Sequence, residues 1–426
     1  MDFPTQFNEN NWKSIRIIMK KTNFKPVIAA LLAVIMTACS NEMPVENLTR
    51  CNDVPQTETT DFKISETEAL AIADKATGNS STQSYGIGVS ISPIYSDPNV
   101  TRASDPTFPL DTLAYVINYA DNGGFSIISR DNRINPLLAY SSTGNFSLTN
   151  EIAKAQFIDR LKDYMSLKCV GNKKYDDSNV EDACRIVNNI VNICIGQGAP
   201  FNKYVHREHL NCPAGCVAVA SALVMMHSKK TLAYNQILYY FSDMRKYLSE
   251  GPPKAETTTS SDPMDFISTM DSGFNPNIDI IQHGFVTNYF QALDYTAKLL
   301  YQIGKDVNMN YSPNGSGANS RDAYNLIKNL GFNVTTGYES MNLNSVTNLL
   351  EDNCIVYMRG SGHAWVADGC RYCIDINTKA KRDIYIHCDW GWDGYCNGYF
   401  TGDVFASAAG YYVPTNFFAV KREINN

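Results

Sequence analysis

Residues 216–226 read Cys-Val-Ala-Val-Ala-Ser-Ala-Leu-Val-Met-Met, without a charge or a breaker, and are entered through Pro213 and Gly215, which interrupt regular structure. Such a run predicts an apolar helix that begins at or beside Cys216, with a loop ahead of it. That places one thiol in a particular environment. The N–H groups of a first helical turn have no partner inside the helix and carry partial positive charge. They favour thiolate over thiol and can hydrogen-bond an oxyanion formed beside it. The same run also suits a small buried cysteine packing a core helix, so the rest of the chain has to decide between nucleophile and filler.

At 426 residues, 44% hydrophobic and 19% charged, the chain is long enough for two or three domains. A net charge of -7 argues against a polyanion partner, and so against nucleic acid. Residues 19–40 have the form of an export signal: lysines first, then an apolar run too short to span a bilayer, then Met36-Thr37-Ala38-Cys39. That tetrapeptide resembles a bacterial lipobox, which implies diacylation of Cys39 and a membrane tether; a plain secretory peptide is the alternative. Met19 is the expected start, and residues 40–60 read as a polar tether. Export bears on the 12 cysteines. They are too sparse for a disulfide scaffold, yet those other than Cys39 and Cys216 are able to pair outside the cytoplasm. Cys370 with Cys373, or Cys388 with Cys396, are close enough in sequence to pair, and each also suits a buried free thiol.

Ser65 and Glu68 have capping-box spacing ahead of Ala69, Leu70, Ile72 and Ala73, which predicts a short amphipathic helix. A polar linker is expected over residues 77–106. Strand-like runs follow at 113–119, 124–129 and 137–140, with a hairpin turn at 121–124, then a helix over 150–167. This unit is a small antiparallel sheet with helices and carries no catalytic chemistry, since the first histidine is His206. A non-catalytic unit ahead of a catalytic one has the form of an inhibitory propeptide.

Three further segments supply what a thiol nucleophile needs. Gln197 sits on a glycine- and proline-rich loop shortly before Cys216 and offers a side-chain N–H to an oxyanion whose other donor is the Cys216 N–H. Strand, glycine-rich turn and strand over residues 353–368 put His363 at a strand start, where an imidazole pairs with the thiolate and later protonates the leaving amine. A further strand ends at Asp389, whose carboxylate is expected to accept the second imidazole N–H, shielded by Trp390.

Ala214-Gly215-Cys216-Val217-Ala218, the Gly362-His363-Ala364-Trp365 run through Gly369, and Asp389-Trp390-Gly391-Trp392-Asp393-Gly394 stand in the order found in the streptopain family of papain-like cysteine peptidases, which the chain resembles over most of its length. Residues 299–317, ahead of a helix expected over 321–330, and residues 123–131 and 138–144 in the first unit are similar to that family as well. The resemblance implies an α+β fold: a papain-like two-subdomain peptidase, helical half facing antiparallel β half, behind a small α+β propeptide. It implies Cys216 as nucleophile, His363 as general acid/base, Gln197 as oxyanion donor, and Asp389 with Trp390 orienting and shielding His363. Ser316, Gly317 and Gly362 would line the substrate cleft, pairing with an extended peptide. The expected divisions are a signal peptide over 1–39, a tether over 40–60, a propeptide over 61–175 cut near Lys173 and Lys174, and a peptidase over 176–426. No metal or organic cofactor is implied. The expected partners are protein or peptide substrates, the chain's own propeptide as inhibitor and a membrane through the lipid anchor, with the enzyme monomeric and either anchored or released. The chain departs from the family in having Asp389 for the commoner Asn, Leu223 for Gln, a Pro/Thr/Ser-rich insertion at 251–263, and no glycine-rich loop over 403–416.

Three rival readings compete. His206, His209, Cys212 and Cys216 could bind zinc, which would consume the thiol. A Cys/His cell-wall amidase would keep the nucleophile and change the substrate. A surface lipoprotein that binds protein without catalysis would keep neither, although retention of Gln197, Cys216, His363 and Asp389 together argues for activity.

Overall fold

Ser65 opens the first helix through the reciprocal contact its spacing predicts: Ser65 Oγ accepts from the Glu68 N–H at 3.3 Å, and Glu68 Oε2 accepts from the Ser65 N–H at 2.8 Å. That helix, α1 (Glu66–Thr77), ends at Gly78 with φ 71°, a conformation that costs glycine little. The computed structural model describes residues 62–78, 89–96, 112–148, 151–169, 173–179, 184–190, 193–250, 282–284, 286–360, 362–402, 406–407, 410–411 and 413–423. Cys39, the signal, the tether and the 251–263 insertion lie outside the described residues.

After α1 come β1 (Val89–Tyr95), β2 (Thr112–Tyr119), β3 (Phe125–Ser129), β4 (Leu137–Ser141) and α2 (Glu151–Lys168). Part of the stretch read as a polar linker is therefore a strand. Ser90 and Ser92 alternate with Val89 and Ile91, and Pro93 is tolerated because β1 pairs with β2 alone among the described strands. The β2–β3 connection forms where Asp121 and Asn122 accept φ of 54° and 57°. Ala69, Leu70 and Ala73 bury one face of α1 against Tyr115, Ile117 and Ile128.

The later elements are β5 (Arg185–Val187), α3 (Lys203–Glu208), α4 (Cys216–Ser228), β6 (Thr231–Tyr234), β7 (Ile237–Tyr240), α5 (Phe241–Glu250), β8 (Gln282–Gly284), α6 (Tyr289–Asp306), α7 (Ser320–Asn329), β9 (Glu339–Ser340), α8 (Leu343–Glu351), β10 (Cys354–Gly360), β11 (His363–Ile374), β12 (Lys381–Asp389), β13 (Gly398–Thr401), β14 (Ala406–Ser407), β15 (Gly410–Tyr411) and β16 (Pro414–Lys421). Helix α4 is apolar all round because it is buried all round. It packs against β10 and β11 on the sheet and against α6 and α7 among the helices, with every residue after Cys216 buried. A helical half thus faces an antiparallel β half, as expected.

The large sheet runs β1-β2-β3-β4-β13-β12-β11-β10-β16-β9, antiparallel throughout, with β5 added against β11. Strand β4 of the first unit pairs with β13 through Ala139 opposite Phe400 and Tyr140 opposite Tyr399, whose rings stack at 5.0 Å. One core therefore spans both units: Phe125, Phe146 and Phe157 share it with Trp365, Trp390 and Phe400. Each such aromatic contributes about 1.5–3 kcal/mol by leaving water.

Cys184 is disulfide-bonded to Cys373. Neither pairing suggested by sequence forms, and Cys370, Cys388 and Cys396 are buried and not disulfide-bonded. Cys370 and Cys373 lie along one strand, where three residues of rise, roughly 10 Å, exceed the reach of a disulfide.

Candidate active site

Cys216 is the first residue of α4, preceded by Gly215 with φ 91°. A β-carbon at position 215 would meet Met309 at 2.8 Å and the Ser316 carbonyl at 3.2 Å, so glycine is required by conformation and by space. Gly215 has no side chain to cap the helix, which leaves first-turn N–H groups open beside the thiol. Burial pushes the Cys216 thiol up from its ordinary value, opposed by hydrogen bonds from the Ala364, Val217 and Cys216 N–H groups. Those are the donors a developing negative charge needs, and Ala364 adjoins His363.

His363 opens β11 opposite Gly360 and is buried. Its Nε2 lies 3.0 Å from the Trp390 carbonyl and 3.2 Å from Trp392 Nε1, two contacts that need opposite tautomers. With a proton on Nε2 the imidazole donates to that carbonyl and Nδ1 is left as a base. Trp365, Trp390 and Trp392 surround the ring, their centroids 6.1, 6.3 and 5.7 Å from its own. Burial among them pulls its pKa down to about 4. Burial thus favours the neutral form of both groups.

The acceptor expected from Asp389 is therefore supplied by the next residue's backbone. Asp389 Oδ1 instead accepts from the Gly391 N–H at 3.0 Å, and the buried Asn397 accepts from the Trp390 N–H at 3.0 Å, so the two side chains brace the turn that aims the Trp390 carbonyl. Burial raises the Asp389 carboxyl to about 6, with the Gly391 N–H opposing. A turn brace needs an acceptor and not a charge. Asp389→Asn is accordingly expected to keep kcat/KM on a peptide substrate within a few-fold, and Asp389→Ala to lower it roughly 10–100-fold, the cost of a lost buried hydrogen bond. Equal loss in both variants would show that the charge itself is required.

Cys216 and His363 line one cleft of about 520 Å³ together with Ser316, Gly317, Gly362 and Arg359. Side chains added at Gly317 or Gly362 would meet nothing within 4 Å. The Gly317 N–H and C=O are engaged with Asn310 at 3.1 and 2.9 Å, which leaves the flanking main chain, not Gly317, to pair with a peptide. The Ser316 hydroxyl is buried and unpartnered. Gln197, Asp389 and Trp390 do not line this cleft. Gln197 is held next to the nucleophile loop, its carbonyl accepting from the Ala214 N–H at 2.8 Å, while the Asp393 N–H donates to Ile195 at 3.2 Å.

The four residues of the zinc reading have separate engagements. His209 stacks on Tyr311 at 4.5 Å, His206 Nδ1 accepts from the Asn211 N–H at 3.2 Å, and Cys212 Sγ faces the Leu210 carbonyl at 3.6 Å. Among the described residues no cluster of His, Cys, Asp and Glu is arranged to hold a metal ion.

Residues 195–400 match the Peptidase C10 family, and residues 62–166 match the Spi protease inhibitor. The chain is a streptopain-like cysteine peptidase. The streptopains of Streptococcus pyogenes serotypes M28 and M1 are each 27% identical to it over 325 residues, covering 69% of this chain and 75% of theirs. Among solved structures, a prointerpain A fragment of Prevotella intermedia is 21% identical, covers 75% of this chain and 98% of its own, and superposes with a TM-score of 0.41. The peptidase region thus follows an inhibitor region, and the pairing of β4 with β13 joins the two in one sheet.

Sequence reasoning missed Trp392, Asn397 and the Ala364 N–H. Trp392 had a visible signal in the doubled tryptophan of residues 389–394. Asn397 had none, because its contact is set by how the loop after β12 folds back.

Proposed function

We propose that the chain is an exported endopeptidase, tethered through a diacylated Cys39, made as an inactive precursor and acting as a monomer on proteins or peptides. The observation that carries the reading is a helix-start thiol and a strand-start imidazole sharing one cleft. Cys216 thiolate attacks a peptide carbonyl, with its proton on His363 Nδ1. The tetrahedral oxyanion rests on the Cys216 N–H, and the Gln197 amide, which lies outside the cleft of the uncut chain, is its proposed second donor. His363 then protonates the departing amine, leaving a thioester, and activates the water that hydrolyses it. The Trp390 carbonyl keeps the ring oriented throughout, and Ser316 and Gly362 hold the substrate backbone.

Export is supported by the lipobox-like residues 36–39 and by the Cys184–Cys373 disulfide, which suits an oxidising compartment. The inhibitory segment is proposed to span 61–175 and the peptidase 176–426. Their division falls where Lys173 and Lys174 are exposed and the chain has no helix or strand. Incubation of the purified chain with a mild reductant tests this by intact mass. Wild type is expected to lose an N-terminal fragment ending between residues 160 and 185, and Cys216→Ala to stay whole. Equal cutting of both would remove Cys216 from the reaction.

A further inference from the structure

The chain changes character abruptly on either side of residue 180. Residues 173–179 are irregular and, apart from Tyr175, exposed. Their contacts centre on Tyr175 and its neighbours: the Tyr175 N–H donates to the Asn132 carbonyl at 2.6 Å, its hydroxyl donates to Asp383 at 2.5 Å, Arg382 lies 5.3 Å over its ring and donates to the Asp176 carbonyl at 3.2 Å, and the Asn179 carbonyl accepts from the Ile376 N–H at 2.8 Å. Downstream the hold is dense. Cys184 is bonded to Cys373, and Arg185, Ile186 and Val187 pair with Tyr372, Arg371 and Cys370 of β11. The Asn189 N–H donates to the Tyr399 hydroxyl at 3.3 Å and the Ile190 N–H to Asp368 Oδ2 at 3.0 Å. Gly369 lets this segment approach, since a β-carbon there would sit 2.8 Å from the Asn189 nitrogen.

The strand so clamped is β11, which begins at His363. β5 has only three residues, and Ile186 is 57% exposed. In the uncut chain its N-terminal side is continuous with a docked propeptide. After a cut it becomes a free terminal arm, and such arms fray unless tied down.

Resting on the zymogen reading, we propose that the activating hydrolysis falls within residues 173–179 and that the Cys184–Cys373 disulfide staples the new N-terminal segment to β11. Water adds across one peptide bond, giving a carboxylate on the propeptide fragment and an amine on the peptidase. Both sulfurs stay on the peptidase side, so the propeptide is free to leave while β5 remains in the sheet.

Full-length Cys216→Ala protein, cut by a trace of pre-reduced and desalted wild-type enzyme, gives the test by denaturing mass spectrometry without reductant. Two separate fragments are expected, the larger beginning within residues 174–179 and gaining two extra iodoacetamide adducts once TCEP is added. Fragments that stay joined until reduction, or a terminus elsewhere, overturn the proposal. If wild type cuts nothing, the zymogen reading fails, and brief trypsin treatment at Lys173 and Lys174 still tests the staple. The double variant Cys184→Ser/Cys373→Ser, cut by either route, is expected to melt roughly 5–15 °C below the stapled cut protein, with a smaller drop in the uncut chain. An equal drop before and after cutting overturns the staple.

Discussion

Replacing His363 with alanine is expected to lower kcat/KM on a fluorogenic peptide by roughly 10⁴-fold, measured on protein cut in trans by trace wild type. In the proposed mechanism the one imidazole takes the thiol proton and returns it to the leaving amine, so its removal costs both steps. Its position is not incidental. β11 begins at His363, and the ring is wedged among Trp365, Trp390 and Trp392 with Nε2 held 3.0 Å from the Trp390 carbonyl. The variant retains Cys216 at the start of α4, so slow alkylation of that thiol should persist. A residual rate within tenfold of wild type would place the base elsewhere.

The second large effect is on stability. Trp390 is fully buried, packs on Trp365 at 5.3 Å and Phe400 at 5.5 Å, and donates its indole N–H to the Cys396 carbonyl at 3.1 Å. Trp390→Ala opens a cavity in the core shared by the inhibitor and peptidase regions and leaves that carbonyl without its donor. The expected cost is about 3–5 kcal/mol. Since one kcal/mol moves the melting point of a chain this size by about 1–2 °C, the thermal midpoint of the uncut protein should fall by roughly 3–10 °C. kcat/KM should fall as well, because the residue's own carbonyl orients His363. A drop below about 2 °C would mean that the core closes around the missing ring.

Much of this is legible in the sequence alone. Pro213, Gly215 and the uncharged run after Cys216 declare a helix start, and the structure begins α4 at Cys216. The Ser65 and Glu68 pair declares α1 equally plainly, because a capping box is a local contact between near neighbours. What failed was not local. β1 was hidden by serines and a proline that an edge strand accepts. The pairing of β4 with β13 joins residues far apart in sequence and has no short-range signature. The partner of Cys373 is Cys184, while the near neighbour Cys370 stays free. Asp389 is expected from the sequence to accept from the imidazole, but its carboxylate accepts from the Gly391 N–H and a backbone oxygen faces the imidazole, a fold of the loop that sequence could not show.

Cys216 is the proposed nucleophile, and its thiol is expected to react more slowly in the uncut chain than after cutting. The direct measurement is iodoacetamide alkylation of cut and uncut protein, with the adducts mapped by mass and residual activity followed alongside. After cutting, one equivalent on Cys216 should abolish activity, ahead of any other cysteine. Before cutting, burial holds the thiol above its ordinary value and His363 near 4, so reaction at pH 7 should be slow. Its rate should keep climbing as pH rises past the value for an ordinary cysteine. Full activity after Cys216 is alkylated, or inactivation that tracks a different cysteine, would contradict the account.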